Sequence, residues 1–277
     1  MKPKVTHIDF EELDLPDVVY KYRTWTDENH KAILKNQIVY MSSPFDFEDS
    51  KDCKSQKQYN LLTNSDIYNY YFEDSKDKHP ERNRQQHRKY ARDFFKKSPM
   101  RHPDYIKEKQ KKHLEEFANH FGILSLTANP NSLAMWSKYS DNHNGICVGF
   151  SPKKMFKFSG GGGKVVYHDK LPIIKPDDSF EKEHYKQVFC KETKWDFEEE
   201  YRTHMHFREI ATKRDRQIKI PKDCFTEVIF GFYSTDEFKN EIMAVCETQG
   251  LDINFKQVVS IENGKISINN MNVKRSS

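Results

Sequence analysis

The chain has 277 residues and a net charge of +4, and it is polar, yet it contains 20 Phe, 14 Tyr and 3 Trp residues. This aromatic content excludes a disordered chain, and so small a net charge does not by itself imply a polyanionic partner. The absence of a CxxC pair excludes a zinc knuckle. Residues 1–10 lack the apolar run of a signal peptide, and no apolar segment is long enough to span a membrane. The sequence therefore favours a cytoplasmic location.

The first fifty residues predict a compact strand–helix–strand unit. A strand is expected over residues 18–23, and Thr26 is placed to cap a helix that runs to about Asn36. A second strand covers residues 37–41 and ends at Ser42-Ser43-Pro44.

The next segment, residues 54–120, is charged and helical in tendency. Its central part, residues 82–112, holds twelve Lys or Arg residues against three acidic ones. We interpret it as an inserted helical hairpin, broken at Ser98-Pro99 and His102-Pro103. Basic residues mixed with aromatic ones suit a phosphate backbone and unstacked bases, although a solvated helix that packs through its aromatic side chains is the alternative. The candidate nucleic-acid-binding residues are Arg88, Lys89, Arg92, Lys96 and Lys97.

The middle of the chain predicts buried strands over residues 121–127 and 146–150, with a short helix between them. Gly145 is expected to take the left-handed conformation that stops this helix. The glycine run before Lys164 is expected to form a flexible hairpin tip, because the Gly-Lys-Ser/Thr ending of a phosphate-binding loop is missing.

The C-terminal part predicts an apolar strand over residues 225–232 and a helix opened by a capping box. In that box Ser234 is the cap and Glu237 follows three residues later. Two closing strands are expected next, and residues 272–277 are expected to fray. The closing strands cover residues 255–261 and 265–268.

Residues 194–202 carry the densest mixture of acidic, basic and aromatic side chains in the sequence. On a strand, alternate residues share a face, so Glu198, Glu200 and Arg202 are expected to point the same way. Burying such a set is costly unless a charged partner is present. The pattern indicates one half of an active site, with a solvated strand edge and an internal ion pair as the alternative.

The short helix offers a candidate second half. Trp136, Tyr139 and His143 lie along one side of the helix and its cap, which suits a planar ligand, with core packing as the alternative. No metal site is predicted, because His204 and His206 share a strand face without a third ligand nearby.

Six short motifs occur in the order seen in a bacterial family, and over about residues 20–232 the chain resembles domain-of-unknown-function family 2971. The turn after the second strand departs from the family's usual Phe-Asn-Asp-Pro, since only Phe47 and Asp49 keep the pattern. The motifs are Tyr20-Lys21-Tyr22-Arg23, Val39-Tyr40-Met41-Ser42-Ser43-Pro44, Leu124-Ser125-Leu126-Thr127, Met135-Trp136-Ser137-Lys138-Tyr139, His143-Asn144-Gly145-Ile146-Cys147-Val148-Gly149-Phe150 and Trp195-Asp196-Phe197-Glu198-Glu199-Glu200-Tyr201-Arg202.

The layout of the motifs also resembles the split-sheet fold of mono-ADP-ribosyltransferases, which carry an Arg or His on the first strand and a Glu-x-Glu pair on a later one. This resemblance implies an α+β fold with a central split, mixed or antiparallel sheet and flanking helices. We expect one domain over residues 1–277, with the basic helices inserted at 54–120. Arg23, Glu198 and Glu200 would then be catalytic.

The resemblance further implies NAD as a substrate and a macromolecular target, which is a nucleic acid or an acidic protein. The family's bacterial setting suggests a toxin or a phage-defence effector. Two other functions stay open: a nucleic-acid-binding or nuclease-like module that uses the basic helices, and a non-catalytic partner-binding protein. The implied NAD-binding residues are Lys21, Tyr22, Ser42, Ser43, Trp136, Tyr139, His143 and Arg202.

Overall fold

A computed structural model describes residues 14–272 of the chain. The expectations for residues 1–10 and 273–277 therefore lie outside the described residues. Within the described part, no helix combines the length and the apolar character needed to span a membrane.

The described residues form twelve strands and eight α-helices. The strands are β1 (Val19–Arg23), β2 (Ile38–Tyr40), β3 (Phe121–Thr127), β4 (Ile146–Phe150), β5 (Gly162–Lys164), β6 (Val166–His168), β7 (Cys190–Glu192), β8 (Glu200–His206), β9 (Gln217–Lys219), β10 (Phe225–Phe230), β11 (Asn254–Glu262) and β12 (Lys265–Asn270). The α-helices are α1 (Glu28–Lys35), α2 (Asn64–Lys78), α3 (Arg84–Lys96), α4 (Pro103–His120), α5 (Leu133–Tyr139), α6 (Pro152–Ser159), α7 (Phe180–Val188) and α8 (Asp236–Thr248).

Eight strands form one mixed sheet in the order β12-β11-β10-β4-β1-β3-β8-β5. Neighbouring strands run antiparallel except β10 and β11, which are parallel. Two further pairs, β2 with β9 and β6 with β7, form small separate sheets. The predicted α+β class, with a large mixed sheet flanked by helices, is confirmed.

The sheet opens between β1 and β3. These strands are paired at one position, Tyr20 with Thr127, whereas β1 pairs with β4 at every residue from Val19 to Arg23. Because side chains alternate along a strand, Tyr20 and Tyr22 enter an apolar cluster with Trp136, while Lys21 and Arg23 point away from it. The two cations of β1 therefore lie at the opening.

Two helix starts differ by one residue from the predictions. Helix α1 is capped by Asp27 and not by Thr26, since Asp27 Oδ1 accepts a hydrogen bond from the Asn29 amide at 2.7 Å. Helix α8 is capped by Thr235 and not by Ser234, since Thr235 Oγ1 accepts from the Phe238 amide at 3.2 Å. In each case two adjacent residues had suitable side chains, and the path of the chain decided between them.

The turn after α5 is built differently from the prediction for Gly145. The left-handed residues are Asp141, Asn142 and His143, with φ angles of 52°, 48° and 68°, and Gly145 is not among them. Gly145 is required for another reason, because a Cβ there would lie 2.3 Å from the carbonyl oxygen of Arg23. The absent side chain lets this turn approach the end of β1.

The glycine run forms regular structure and not a flexible tip. Gly160, with φ of 85°, ends α6, a helix that the sequence did not predict. The following residues form β5, which pairs with β8. A Cβ on Gly162 would lie 2.5 Å from Phe156 Cγ, so the close packing of α6 on this strand needs glycine.

The basic segment contains three helices, α2, α3 and α4, and not a two-helix hairpin. The predicted breaks are correct, since a 3₁₀ turn over Pro99–Arg101 separates α3 from α4, which begins at Pro103. Helices α2 and α3 pack against each other. Helix α4 leads directly into β3.

Candidate functional site

Many of the predicted site residues meet in a cleft at the opening between β1 and β3. The cleft has a volume of about 230 Å³. The predicted residues that line it are Lys21, Tyr22, Arg23, Ser42, Tyr139, Glu198 and Glu200. Further lining residues were not predicted as site residues, and these include Asp46, Glu48, Asp49, Asp52, Ser125, Lys138, Lys191 and Trp195.

Glu198 reaches the cleft from a different element than predicted. Residues Thr193–Glu198 form a 3₁₀ helix, and Glu199 with φ of 41° turns the chain before β8 begins at Glu200. Glu198 and Glu200 therefore do not share a strand face. They converge because the turn at Glu199 brings the end of the 3₁₀ helix against the start of β8.

Lys191 joins these two carboxylates. Its Nζ lies 2.5 Å from Glu198 Oε2, 3.0 Å from Glu200 Oε2 and 3.4 Å from Asp52 Oδ2. Burial favours the neutral amine, but the charges of Glu200, Asp52 and Glu198 raise the pKa of Lys191 above its ordinary value. No local signal marks this role, since Lys191 is one of many lysines and follows an apolar run.

Arg202 does not line the cleft, but its guanidinium binds the carboxylate of Glu200. It is fully buried. Its Nε and Nη2 donate to the two oxygens of Glu200 at 2.7 and 2.9 Å, and Nη2 also lies 2.8 Å from Asp52 Oδ1. Burial opposes ionisation of Glu200, yet the charges of Arg202 and Lys191 hold its pKa below the ordinary value. Glu200 is therefore a fixed, ionised carboxylate.

Glu198 has the more accessible oxygen. Its Oε1 accepts a hydrogen bond from the Tyr139 hydroxyl at 3.2 Å, while Oε2 is held by Lys191. A phenol can rotate away from an acceptor at low cost, whereas the two oxygens of Glu200 are both bound by charged groups. Glu198 Oε1 is thus the carboxylate oxygen best placed to meet a ligand.

Lys21 and Arg23 are the cations that β1 contributes to the cleft. Lys21 Nζ donates to the Ser125 carbonyl at 2.7 Å, and Arg23 Nη1 donates to the Tyr22 carbonyl at 3.2 Å. Within residues 14–272, neither forms an ion pair with a carboxylate. Burial and the adjacent Arg23 charge lower the pKa of Lys21 to about 7.

An aromatic and charged rim completes the cleft. The Trp195 indole N–H donates to Asp49 Oδ2 at 2.6 Å. The Lys138 ammonium lies 4.8 Å from the Trp195 ring centre and 4.9 Å from that of Tyr139, and it pairs with Glu48 at 3.2 Å. Asp49 belongs to the turn that departs from the family pattern, and it positions the indole.

Three other predicted residues lie outside the cleft. Trp136 is fully buried, its indole N–H donates to the Pro130 carbonyl at 2.8 Å, and its ring packs edge-on against Tyr22. His143 stacks on Trp136, and the Ser43 hydroxyl donates to the Ala118 carbonyl at 2.9 Å. Trp136 therefore has the alternative role, core packing, because its ring fills the space between α5 and β1.

The basic residues predicted to bind nucleic acid lie apart from the cleft lining. Arg88, Lys89, Arg92 and Lys96 are exposed on α3, and Lys97 is exposed at its C-terminal end. On β8, His204 packs against His184, and His206 packs against Phe121 and His120.

Comparison with known proteins bears on one part of the cleft. Residues 135–203 match the family model described as a protein of unknown function, DUF2971. The resemblance to DUF2971 is therefore confirmed over this segment, which covers less than half of the chain. No curated protein and no solved structure matches the chain. The DUF2971 segment supplies Tyr139, Lys191, Trp195 and both glutamates, whereas the cations of β1 lie outside it.

Proposed function

We propose that the cleft binds NAD and that the protein is an ADP-ribosyltransferase-like enzyme that modifies a macromolecule. One observation carries the proposal. Lys21 and Arg23, which lack ion-pair partners among the described residues, lie in the same cleft as the buried carboxylates Glu198 and Glu200. A dinucleotide has matching groups, because its diphosphate is anionic and its ribose becomes positively charged during transfer. The divergence of β1 from β3 further supports the comparison with a split sheet.

The two cations suit the anionic part of the substrate. A guanidinium binds phosphate oxygens at two points, and an ammonium binds them as a point charge. Since Lys21 and Arg23 have backbone carbonyls as their hydrogen-bond partners, a phosphate would not have to displace a carboxylate. The volume of about 230 Å³ is below that of most ligand pockets, so we expect the cleft to hold only part of the dinucleotide.

The carboxylates suit the reacting part. When the bond between ribose and nicotinamide breaks, its electron pair leaves with nicotinamide, and the ribose passes through an oxocarbenium-like state. Glu198 Oε1 would stabilise that charge and accept the proton released by the attacking group of the target. Lys191 and Arg202 hold Glu200, and the Lys191 ammonium orients Glu198. One well-placed group of this kind is worth about 100–1,000-fold in rate.

Tyr139 keeps its predicted role as an aromatic surface for the substrate, and Trp195 takes the place predicted for Trp136. Both rings line the cleft, and both lie beside the Lys138 ammonium. An aromatic ring of the substrate can pack against such side chains in offset-stacked or edge-on geometry.

The test is release of nicotinamide from NAD, measured alone and with RNA, DNA or cell lysate as a source of targets. We expect Glu198→Gln and Arg23→Gln to lower release by at least about 100-fold. The matched control is Glu199→Gln, because Glu199 is exposed, adjacent in sequence and outside the cleft lining. Thermal melting of each variant shows whether the fold is retained.

Two outcomes would overturn the proposal. One is the absence of release by the natural protein under every condition. The other is release that is unchanged in folded Glu198→Gln and Glu200→Gln variants, which would leave the charged cluster as a structural device.

A further inference from the structure

Helix α3 carries a row of basic side chains on its outer side. Arg84, Arg88, Arg92 and Lys96 follow one another at four-residue intervals, so they form one stripe with steps of about 6 Å along the helix axis. The adjacent side is buried against α2, where Ala91 is fully enclosed and His87 Nδ1 lies 2.9 Å from Ser75 Oγ. The packing of α3 therefore fixes which way the stripe faces.

The stripe lacks the carboxylate partners that several lysines of α2 and α4 have. On α2, Lys76 pairs with Glu73 at 2.8 Å, and Lys78 pairs with Asp74 at 2.9 Å. On α4, Lys111 and Lys112 have glutamates within 4 Å in the next turn. Among residues 14–272, the stripe and its neighbour Lys89 form no ion pair, and the single carboxylate of α3, Asp93, pairs with none of them.

Two aromatic residues of α3, Tyr90 and Phe94, have the packing role that was the alternative to base binding. Tyr90 stacks on Phe94 with ring centres 4.2 Å apart, Phe94 contacts Tyr71, and the Tyr90 hydroxyl donates to Asp74 at 3.0 Å. These contacts place the rings at the seam between α2 and α3, away from the stripe. They stabilise the helix pair and do not provide a platform for unstacked bases.

We infer that the α3 stripe binds the phosphate backbone of a nucleic acid without reading its sequence. An exposed row of arginines with no internal partners matches a regular row of phosphates, and guanidinium groups bind phosphate well. The rings of Tyr90 and Phe94 are engaged with each other and with Tyr71, so we do not infer that they stack on splayed bases. The inference is independent of NAD chemistry, since the stripe does not line the cleft.

The test is fluorescence anisotropy with labelled RNA, single-stranded DNA and duplex DNA of about 20 nucleotides, over salt from about 50 to 200 mM. The variant is Arg88→Gln with Arg92→Gln and Lys96→Gln. We expect its affinity to fall at least about tenfold, and the slope of log K against log salt to lose about 2–3 units.

The matched control replaces three exposed lysines of α4, Lys107, Lys111 and Lys112, by Gln, which changes the net charge equally. We expect it to lose less than about twofold. The inference would be overturned if both triple variants lost affinity equally, or if the natural protein did not bind nucleic acid. Binding that is insensitive to salt, or equally tight binding to polyglutamate, would also overturn it. Folded Glu198→Gln protein should bind normally, so failure of the NAD proposal would leave this result unaffected.

Discussion

Arg202 binds Glu200 through two side-by-side hydrogen bonds, Nε to Oε1 at 2.7 Å and Nη2 to Oε2 at 2.9 Å. The two residues lie two positions apart on β8, and both are buried. Asp52, 150 residues away from Arg202 in the sequence, accepts from the same guanidinium. Burial of these charges is tolerated because each one is paired, and the pairing holds Glu200 in one orientation at the base of the cleft.

Replacing Arg202 by Met should therefore destabilise the fold strongly. The change leaves Glu200 and Asp52 with Lys191 as their shared cation, and breaking a buried ion pair from one side costs about 3–5 kcal/mol. The free energy of unfolding in urea measures the loss. Arg208→Met, at an exposed position, should stay within about 0.5 kcal/mol of the natural protein. Similar losses in both variants would contradict this account.

Lys21 should make stability depend on pH above neutrality. Its pKa is lowered to about 7 in the folded protein from an ordinary value of 10.5, so between these values the unfolded chain binds the extra proton. The free energy of unfolding contributed by Lys21 therefore rises as pH increases from 7 towards 10.

The corresponding measurement compares the natural protein with Lys21→Met over that pH range. The stability of the variant relative to the natural protein should be greatest below pH 7 and should decline as the pH rises to about 10. Lys170→Met, at an exposed lysine, should show a constant difference. A constant difference for Lys21→Met as well would show that its amine is not perturbed.

Gly145→Ala should disturb the turn beside β1. The new methyl group would lie 2.3 Å from the Arg23 carbonyl oxygen and 2.9 Å from that of Ser140, so the backbone must move. Overpacking of this kind costs about 1–3 kcal/mol, measured by urea unfolding. Gly163→Ala is the control, since its nearest contact is Phe189 Cε1 at 3.8 Å. Equal effects at both positions would rule out the steric explanation.

Ser234 and Thr235 are adjacent hydroxyl residues at the start of α8, and their replacement by Ala should have different effects on stability. Thr235→Ala removes the acceptor of the Phe238 amide and should cost about 1 kcal/mol. Ser234→Ala should cost less, because the Ser234 hydroxyl is buried without a hydrogen-bond partner. Thermal or urea unfolding of the two single variants measures the loss of stability. A larger loss for Ser234→Ala than for Thr235→Ala would place the cap at Ser234, the residue predicted from the capping box.

Local patterns in the sequence were sufficient for most elements of the sheet. The apolar segments at 121–127 and 146–150 became β3 and β4 with the predicted bounds, because buried strands are continuous runs of apolar residues. Such patterns could not show which of two adjacent residues caps α1 or α8, nor why Gly145 is required. Each depended on which neighbouring segment approached the backbone, and that approach is a property of the folded chain.

The sequence alone determined that residues 194–202 carry charges that need partners, and it placed Lys21 and Arg23 on a first strand. Only the tertiary structure decided which partners they have. Lys191, Asp52 and Trp195 entered the cleft through long-range packing, and Trp136 was taken into the core. The physical reason is that a buried charge accepts any opposite charge brought near it, so its partner is chosen by the fold and not by local spacing.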